Sequence, residues 1–444
     1  MTLSETSFSL KSRSVRRGSG RLYRELLRNQ ELKPEALAEL QRARATAIAE
    51  FARTQTVFYA KHFADAGIEP SRALTPEDWT RLPLLNRTML KAHADEVSSS
   101  EDTPRNSRPA LTGGSTGEPL KAKHDARVPT LALAWRMYSW WGVQPWDNLA
   151  RIGRWGFGRF DALKNDVAWW PSKQRYMDAG LMSPEKMRQF HAELLKARPA
   201  LLEGYVGSIV AFADFVEAER LRLPSLRAVA TTAAPLDAAS RSRLESVFGV
   251  PVHDEYRTSE VGWIAGECRE RNGLHVFADT RVIEIVDEDG RVLPAGETGE
   301  IVVTDLTNRV FPMIRYRLGD RGRLLDQPCA CGIGLPLIAP PEGRVTDLLH
   351  TPSGRTLGHR IMAMFSDVPD AVRQMQVHQH ADYSVTVRVV EGRIPDARSH
   401  VERNVNVLRN RIDNEVPITI EYVDSLPYTG AKLKYVISDV PRRQ

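Results

Sequence analysis

Between residues 31 and 66, apolar positions recur every three or four residues in a run rich in Ala, Leu, Glu and Arg. That spacing predicts an amphipathic helix. The middle of the chain is mixed. "SLRAVATTAAP" is an apolar, β-prone run ending at Pro235, "LDAASRSRLESVFG" reads as helix, and "VPVHDEY" reads as a second strand. Strand, helix, strand predicts an α/β sheet. From Val282 the period changes to two in "VIEIVDEDGRVLPAGETGEIVVTDL", with turns at Asp289-Gly290 and Gly296, which predicts antiparallel β structure. Further on, "YSVTVRVV" (383–390) alternates as a half-buried strand, and "PITIEYV" (417–423) is another. Between them Val401, Val405, Leu408 and Ile412 mark one face of a helix. This compact β-α-β unit is reached through "APPEGRVTD", whose Pro340, Pro341 and Gly343 suit a linker. The expected class is α/β, with mixed sheets and helices in a large domain and a small α+β domain after it.

Composition narrows the class of function. The 444 residues suffice for two or three domains, and 42% hydrophobic with 26% charged residues is ordinary for a soluble globular protein. No run approaches the ~20 apolar residues that span a bilayer, so no membrane partner is expected. The basic N-terminal run "KSRSVRRGSGRLYR" has no apolar stretch behind it and does not read as a secretory signal. The first ~20 residues, rich in Ser, Arg and Gly, are expected to be a poorly ordered tail rather than a binding arm. A net charge of +5 permits an anionic substrate such as a nucleotide without requiring nucleic acid. Three cysteines (Cys268, Cys329 and Cys331) argue against a disulfide framework and for a reducing cytoplasm.

Three polar stretches carry candidate chemistry. In "LTGGSTGEPL" (111–120), Gly113, Gly114 and Gly117 allow backbone N–H groups to approach a ligand closely. Thr112, Ser115 and Thr116 add hydroxyl donors suited to phosphate oxygens. No lysine follows Gly117, which counts against a P-loop that hydrolyses a γ-phosphate. In "HDEYRTSEVGWIAGEC" (253–268), Tyr256 offers an aromatic face, Thr258 and Ser259 offer hydroxyls, and Glu260 can hold Mg²⁺ against phosphates. In "FPMIRYRLGDRGRL" (311–324), Asp320 can accept hydrogen bonds from a ribose diol, whereas Arg315 and Arg317 read as structural or anion-facing. Separately, Cys268, His275, Cys329 and Cys331 make four soft ligands, enough for a closed tetrahedral site. Free buried thiols are the alternative.

The order "LTGGSTGEPLK", "TTAAPL", "YRTSEVG", "GETGEIVVTDL", "IRYRLGD", "GRVTDLL" and "LPYTGAKLKYV" resembles the adenylate-forming ligases. "AGECRERNGLHV", "PMIRYRLGD" and "CACG" are similar to their phenylacetate–CoA ligase-like and CapK-like branch. The resemblance implies a helical segment (1–80) packed on a large AMP-binding domain (81–346), and a small C-terminal domain (347–444) that rotates on a hinge at Asp347. It implies ATP and Mg²⁺ as cofactors and a carboxylic acid as substrate. An acyl-adenylate and pyrophosphate form first, and CoA or an amine or hydroxyl then takes the acyl group. Thr112 to Gly117 would wrap the β- and γ-phosphates. Ala233, Ala234 and Pro235 would line the adenine and Tyr256 would stack on it. Ser259 would meet the α-phosphate, Glu260 would ligate Mg²⁺, and Asp320 would bind ribose with help from Arg344. Lys432 would bridge carboxylate and α-phosphate, with Lys434 as the lesser candidate. Zinc-binding members of the branch look similar at the four soft ligands, which implies structural Zn²⁺. A homodimer is left open.

Several positions depart from the family. Glu118 stands where lysine is usual, so Lys121 or Lys123 is a candidate to compensate. Arg257 replaces a glycine and is a candidate to contact the reacting anions or to pair with an acid such as Asp254. Ala431 replaces the glycine before the lysine. "HTPSGRTLGHRIM" is closer to the CapK-like branch, which puts CoA in question and leaves a catalytically degenerate nucleotide binder as a further alternative. Tryptophans concentrated in "AWRMYSWWGVQPW" and "RIGRWGFGRFDALKNDVAWWP" suit an aromatic wall for an aryl or hydrophobic acid, or a core.

Overall fold

The computed structural model describes residues 2–14, 16–68, 74–110, 121–153, 159–342, 349–353, 356–357, 371–392, 394–412, 414–426 and 436–440. The chain divides into two compact units, both discontinuous in sequence. One holds residues 1–147, 166–173 and 253–341; the other holds 148–165, 174–252 and 342–444. No helix among the described residues is long and apolar enough to cross a membrane.

The first unit begins with order where a mobile tail is expected. Helix Leu3–Arg13 opens on a capping box, with Glu5 N donating to the Thr2 hydroxyl and Thr2 N donating to the Glu5 carboxylate, each at 3.2 Å. Phe8 meets Trp135 edge-on at 5.2 Å. The Arg16 guanidinium lies 4.0 Å over the Trp169 ring and donates to the Ala168 carbonyl at 2.8 Å. Charges that read as a solvated tail therefore act as anchors, through a cation–π contact and a helix-end carbonyl. The helix expected over 31–66 breaks into Pro34–Gln55 and Val57–Asp65. Thr56 separates them and caps the second by accepting from Tyr59 N at 3.1 Å.

The same unit carries the period-two region. Arg281–Val286, Gly299–Asp305 and Tyr316–Gly322 form an antiparallel sheet in that order. Leu324–Leu325, Leu337–Ile338, Leu274–Val276, Gly262–Glu267 and Val252–Thr258 form a second antiparallel run. Three buried ion pairs tie this region together. Arg136 meets Asp279 at 2.8 Å with both side chains fully buried, Arg281 meets Asp305 at 2.8 Å, and Arg315 meets Glu284 at 3.0 Å. Arg315 is thus structural, as is Arg317, which pairs with Glu300 at 2.7 Å.

In the second unit, Ala228–Thr232, Leu201–Tyr205, Leu149–Gly153 and Gln174–Asp178 are parallel neighbours in that order. Ile152, Leu202 and Val229 share a core with Phe190, Phe212 and Leu244 from the helices that connect such strands. The predicted helix after Pro235 is Ala238–Phe248, capped by Asp237 and ended by Gly249 at φ 70°. Near the C-terminus, Ile418–Tyr422, Val385–Glu391, Val372–Gln379 and Val436–Ser438 form a sheet in that order. Val401, Val405, Leu408 and Ile412 of helix Ala397–Arg411 and its end pack on Val377 and Val387, as the pattern predicts.

Candidate active site

Strand Val252–Thr258 turns back into Gly262–Glu267, and the turn carries Ser259 and Glu260. Val261 N donates to the Thr258 hydroxyl at 3.2 Å and Gly262 takes φ 78°, which fixes the turn. Tyr256, on the same strand, donates its hydroxyl to Asp320 Oδ2 at 2.8 Å. Asp320 sits in strand Tyr316–Gly322 beside Gly319 at φ 76°. Two residues singled out for the same nucleoside are therefore in direct contact. Glu260 accepts from Arg87 Nη1 at 3.2 Å. Sequence reasoning missed Arg87. Its one signal is a cation in the first turn of helix Arg87–Ala92, where the helix dipole disfavours it.

The glycine-rich loop, with Thr112, Gly113, Gly114, Ser115, Thr116 and Gly117, lies outside the described residues, as does Glu118. Its stem does not. Ser107–Pro109 pairs antiparallel with Lys123–Asp125, and Ala110 N donates to the Ala122 carbonyl at 2.8 Å. His124 in that stem donates from Nε2 to the Ser259 carbonyl at 2.9 Å. The base of the loop is thereby tied to the turn that bears Ser259 and Glu260. Burial, partly opposed by Asp305, holds the His124 imidazole below its usual range, so it is neutral near pH 7. Lys123 does not fill the role of the lysine missing at Glu118, because its ammonium is paired with Asp102 and donates to Ser98 at 3.0 Å. Arg257 has Nε 3.8 Å from Glu255 Oε2, and its guanidinium lies 5.5 Å from the Trp263 ring.

Ala233, Ala234 and Pro235 belong to the second unit and follow strand Ala228–Thr232 directly. Ala233 takes φ 73°, the left-handed region that a Cβ disfavours. Backbone strain of this kind, about 1–3 kcal/mol, concentrates at ligand sites. The position also fits the rule that open parallel sheets bind ligands beyond the carboxyl ends of their strands. Arg344, Asp347, Ala431, Lys432 and Lys434 lie outside the described residues.

At the other end of the hairpin the four soft ligands converge. Cys268 follows strand Gly262–Glu267, and His275 lies in Leu274–Val276. Cys268 Sγ is 3.6 Å from Cys329 Sγ, Cys331 Sγ is 3.2 Å from His275 Nε2, and all four donor atoms lie within 4.8 Å of one another. His275 donates from Nδ1 to the Leu335 carbonyl at 2.9 Å, which leaves the Nε2 lone pair turned to the sulfurs. That is the tautomer and outer contact a metal-ligating histidine adopts. Burial pushes the Cys268 thiol up and the Cys331 thiol up to about 12, and it lowers His275. A divalent cation reverses that balance for the thiols, so the donor set fits a closed tetrahedral ion.

Three of the tryptophans offered as a substrate wall are packing residues. Trp135 is buried between Phe8, Tyr23 and Trp169. Trp141 stacks on His253 at 4.8 Å and donates to the Glu267 carbonyl at 2.8 Å. Trp140 meets His275 at 5.5 Å. Trp155 lies outside the described residues.

None of the protein-family models matches the chain. The phenylacetate–coenzyme A ligase of Thermus thermophilus is 26% identical over 77% of the chain and 78% of its own length. Protein CapK of Staphylococcus aureus is 21% identical over 91% and 90%. Both relatives come from the branch that the ordered motifs resemble, so the likeness to phenylacetate–CoA ligases and CapK extends over most of the chain. A 2-hydroxyisobutyryl-CoA ligase solved with R3-HIB-AMP has a similar fold, with a TM-score of 0.73 at 18% identity over 93% of the chain and 91% of that structure.

Proposed function

We propose that the chain uses ATP to activate a carboxylic acid, aryl or hydrophobic, and passes the acyl group to coenzyme A. The observation that carries this reading is the meeting in one unit of Tyr256 with Asp320, and of Ser259 and Glu260 with the stem of the glycine-rich loop. The relatives named as phenylacetate–CoA ligases support the acid and the acceptor. A carboxylate oxygen attacks the α-phosphorus, the bond to the bridging oxygen breaks, and pyrophosphate leaves. Two anions must approach, so donors and cations have to offset their repulsion. Thr112 to Gly117 hold the β- and γ-phosphates. Glu260 would hold Mg²⁺, which would supply charge neutralisation, and Arg87 brings a cation to the same carboxylate. Ala233 to Pro235 and Tyr256 bind adenine, Asp320 with Arg344 binds ribose, and Ser259 meets the α-phosphate. Lys432 bridges the carboxylate and the α-phosphate. Rotation at Asp347 then withdraws it, and the CoA sulfur displaces AMP from the acyl carbon. Zn²⁺ on Cys268, His275, Cys329 and Cys331 has a structural role, because four protein ligands leave no open position. Unpaired thiols suit a cytoplasmic setting.

A second reading replaces CoA with an amine or hydroxyl acceptor. The stretch "HTPSGRTLGHRIM", closer to the CapK-like branch than to true phenylacetate–CoA ligases, puts CoA in question and motivates this reading. Pyrophosphate release over a panel of aryl and aliphatic acids, with and without CoA, tests both. Acid-dependent release followed by a CoA thioester is the expected result. Release that ignores CoA and needs an amine would select the second reading, and no release with any acid would overturn both.

A further inference from the structure

The C-terminal sheet carries a second set of metal-ligand side chains. His378 and His380 are two residues apart on and just beyond strand Val372–Gln379. Val377 faces the helix-covered core, so the alternating position His378 faces away from it. The neighbouring strand Val436–Ser438 runs parallel, with His378 opposite Ile437 and Gln379 opposite Ser438. Asp439 follows directly and is held by its own N–H on the Gln379 carbonyl at 2.8 Å. Both strands therefore end at the same place with their ligands together. His378 Nε2 lies 2.7 Å from Asp439 Oδ2, the two imidazole centroids are 4.4 Å apart, and one donor atom from each of the three lies within 4.8 Å of the others.

The geometry points to a divalent transition-metal site formed by His378, His380 and Asp439. Two imidazoles and a carboxylate are a borderline donor set that suits Zn²⁺, Ni²⁺ or Co²⁺ rather than Ca²⁺ or Mg²⁺. With bonds of about 2.1 Å, neighbouring ligand atoms sit roughly 3–3.5 Å apart, which small ring rotations reach from the observed separations. The second ring is held beside the first by its own contact, His380 Nε2 with the Thr386 hydroxyl at 3.0 Å. Asp439 is half-exposed, so the ion is exchangeable and keeps water in its remaining positions. Three residue pairs attach strand Val436–Ser438 to its neighbour. An ion shared by Asp439 and the two histidines cross-links that strand, a few residues after Lys432. Metal occupancy thus sets how firmly strand Val436–Ser438 is held. This inference does not depend on the ligase reading.

The test is titration of the purified full-length protein with Ni²⁺ by calorimetry, with hydrogen exchange of residues 436–440 read alongside. The expected result is one more equivalent bound by the wild type than by a His378→Ala/His380→Ala variant, and slower exchange with Ni²⁺ in the wild type alone. The difference in stoichiometry stands whether or not the thiol cluster is filled. Asp439→Asn, a surface change that preserves shape, is expected to weaken the same equivalent tenfold or more while leaving circular dichroism unchanged. Equal binding by the wild type and the double histidine variant would overturn the inference. So would the absence of Ni²⁺-dependent protection in a wild type that binds the ion.

Discussion

The two ends of one hairpin, strands Val252–Thr258 and Gly262–Glu267, are built for different work. At the turn, Glu260 and Ser259 are held by groups that can let go, a half-exposed arginine and a histidine on a carbonyl, and Tyr256 on the same strand rests on an aspartate. At the opposite end, Cys268 joins His275, Cys329 and Cys331 in a set whose histidine is completely buried. Replaceable partners suit an end that, under the proposed function, would receive phosphates and Mg²⁺. A closed soft-ligand set suits an end that must not move. Function and stability should therefore separate along a single pair of strands.

The sharpest break is Glu260→Ala. Adenylate formation, followed by pyrophosphate release, is expected to fall about 10²–10³-fold, as when one electrostatic group at a reacting centre is removed. The melting temperature should barely change, because Arg87 is exposed enough to be solvated once its partner is gone. Loss of fold in this variant would erase the proposed division. Cys331→Ser should do the reverse. If the proposed zinc is bound, this change is expected to release it and to lower stability by about 2 kcal/mol or more, read by metal analysis and denaturant titration, while folded molecules keep their turnover. A Cys331→Ser protein that is stable but inactive would place chemistry at the thiol end.

The same contrast explains what could be read from the sequence. The four soft ligands were legible because cysteine is rare here and each side chain has few other uses. Tyr256 and Asp320 could be singled out through the order of motifs, and the structure adds that the two are in contact. Arg87 and His124 were not, since a single arginine or histidine carries no spacing, and each gains its meaning from a partner more than a hundred residues away. Helix Leu3–Arg13 was hidden for a similar reason. Its polar composition suggests a tail, and its anchors are distant tryptophans met by Phe8 and a distant carbonyl met by Lys11. Strand Val372–Gln379 escaped because Gln and His interrupt the apolar alternation that marked its neighbour. The left-handed backbone at Ala233 has no signature in side-chain type at all.

A smaller change at the turn end sharpens the comparison further. Tyr256→Phe keeps the aromatic face and removes only the hydroxyl given to Asp320. A hydrogen bond of this kind contributes about 1 kcal/mol, so the KM for ATP should rise roughly fivefold with stability nearly unchanged. A change confined to kcat would mean that the pair acts in the chemical step and not in binding the nucleoside.

The gentlest probe is acid, through His124. Burial lowers its pKa in the folded state, so between that value and the unfolded value of about 6.5 the unfolded chain binds more protons. Stability then rises with pH across this window. It is fully present above about pH 6.5 and is lost as pH falls through the folded pKa. Denaturant midpoints at pH 8 and pH 5 should show a loss in the wild type that is smaller in His124→Gln, which keeps a donor for the Ser259 carbonyl. Because that bond joins the loop stem to the turn, the KM for ATP should climb over the same interval in the wild type and less in the variant. Equal acid sensitivity in both proteins would assign the effect elsewhere and leave His124 as a neutral tether at every pH.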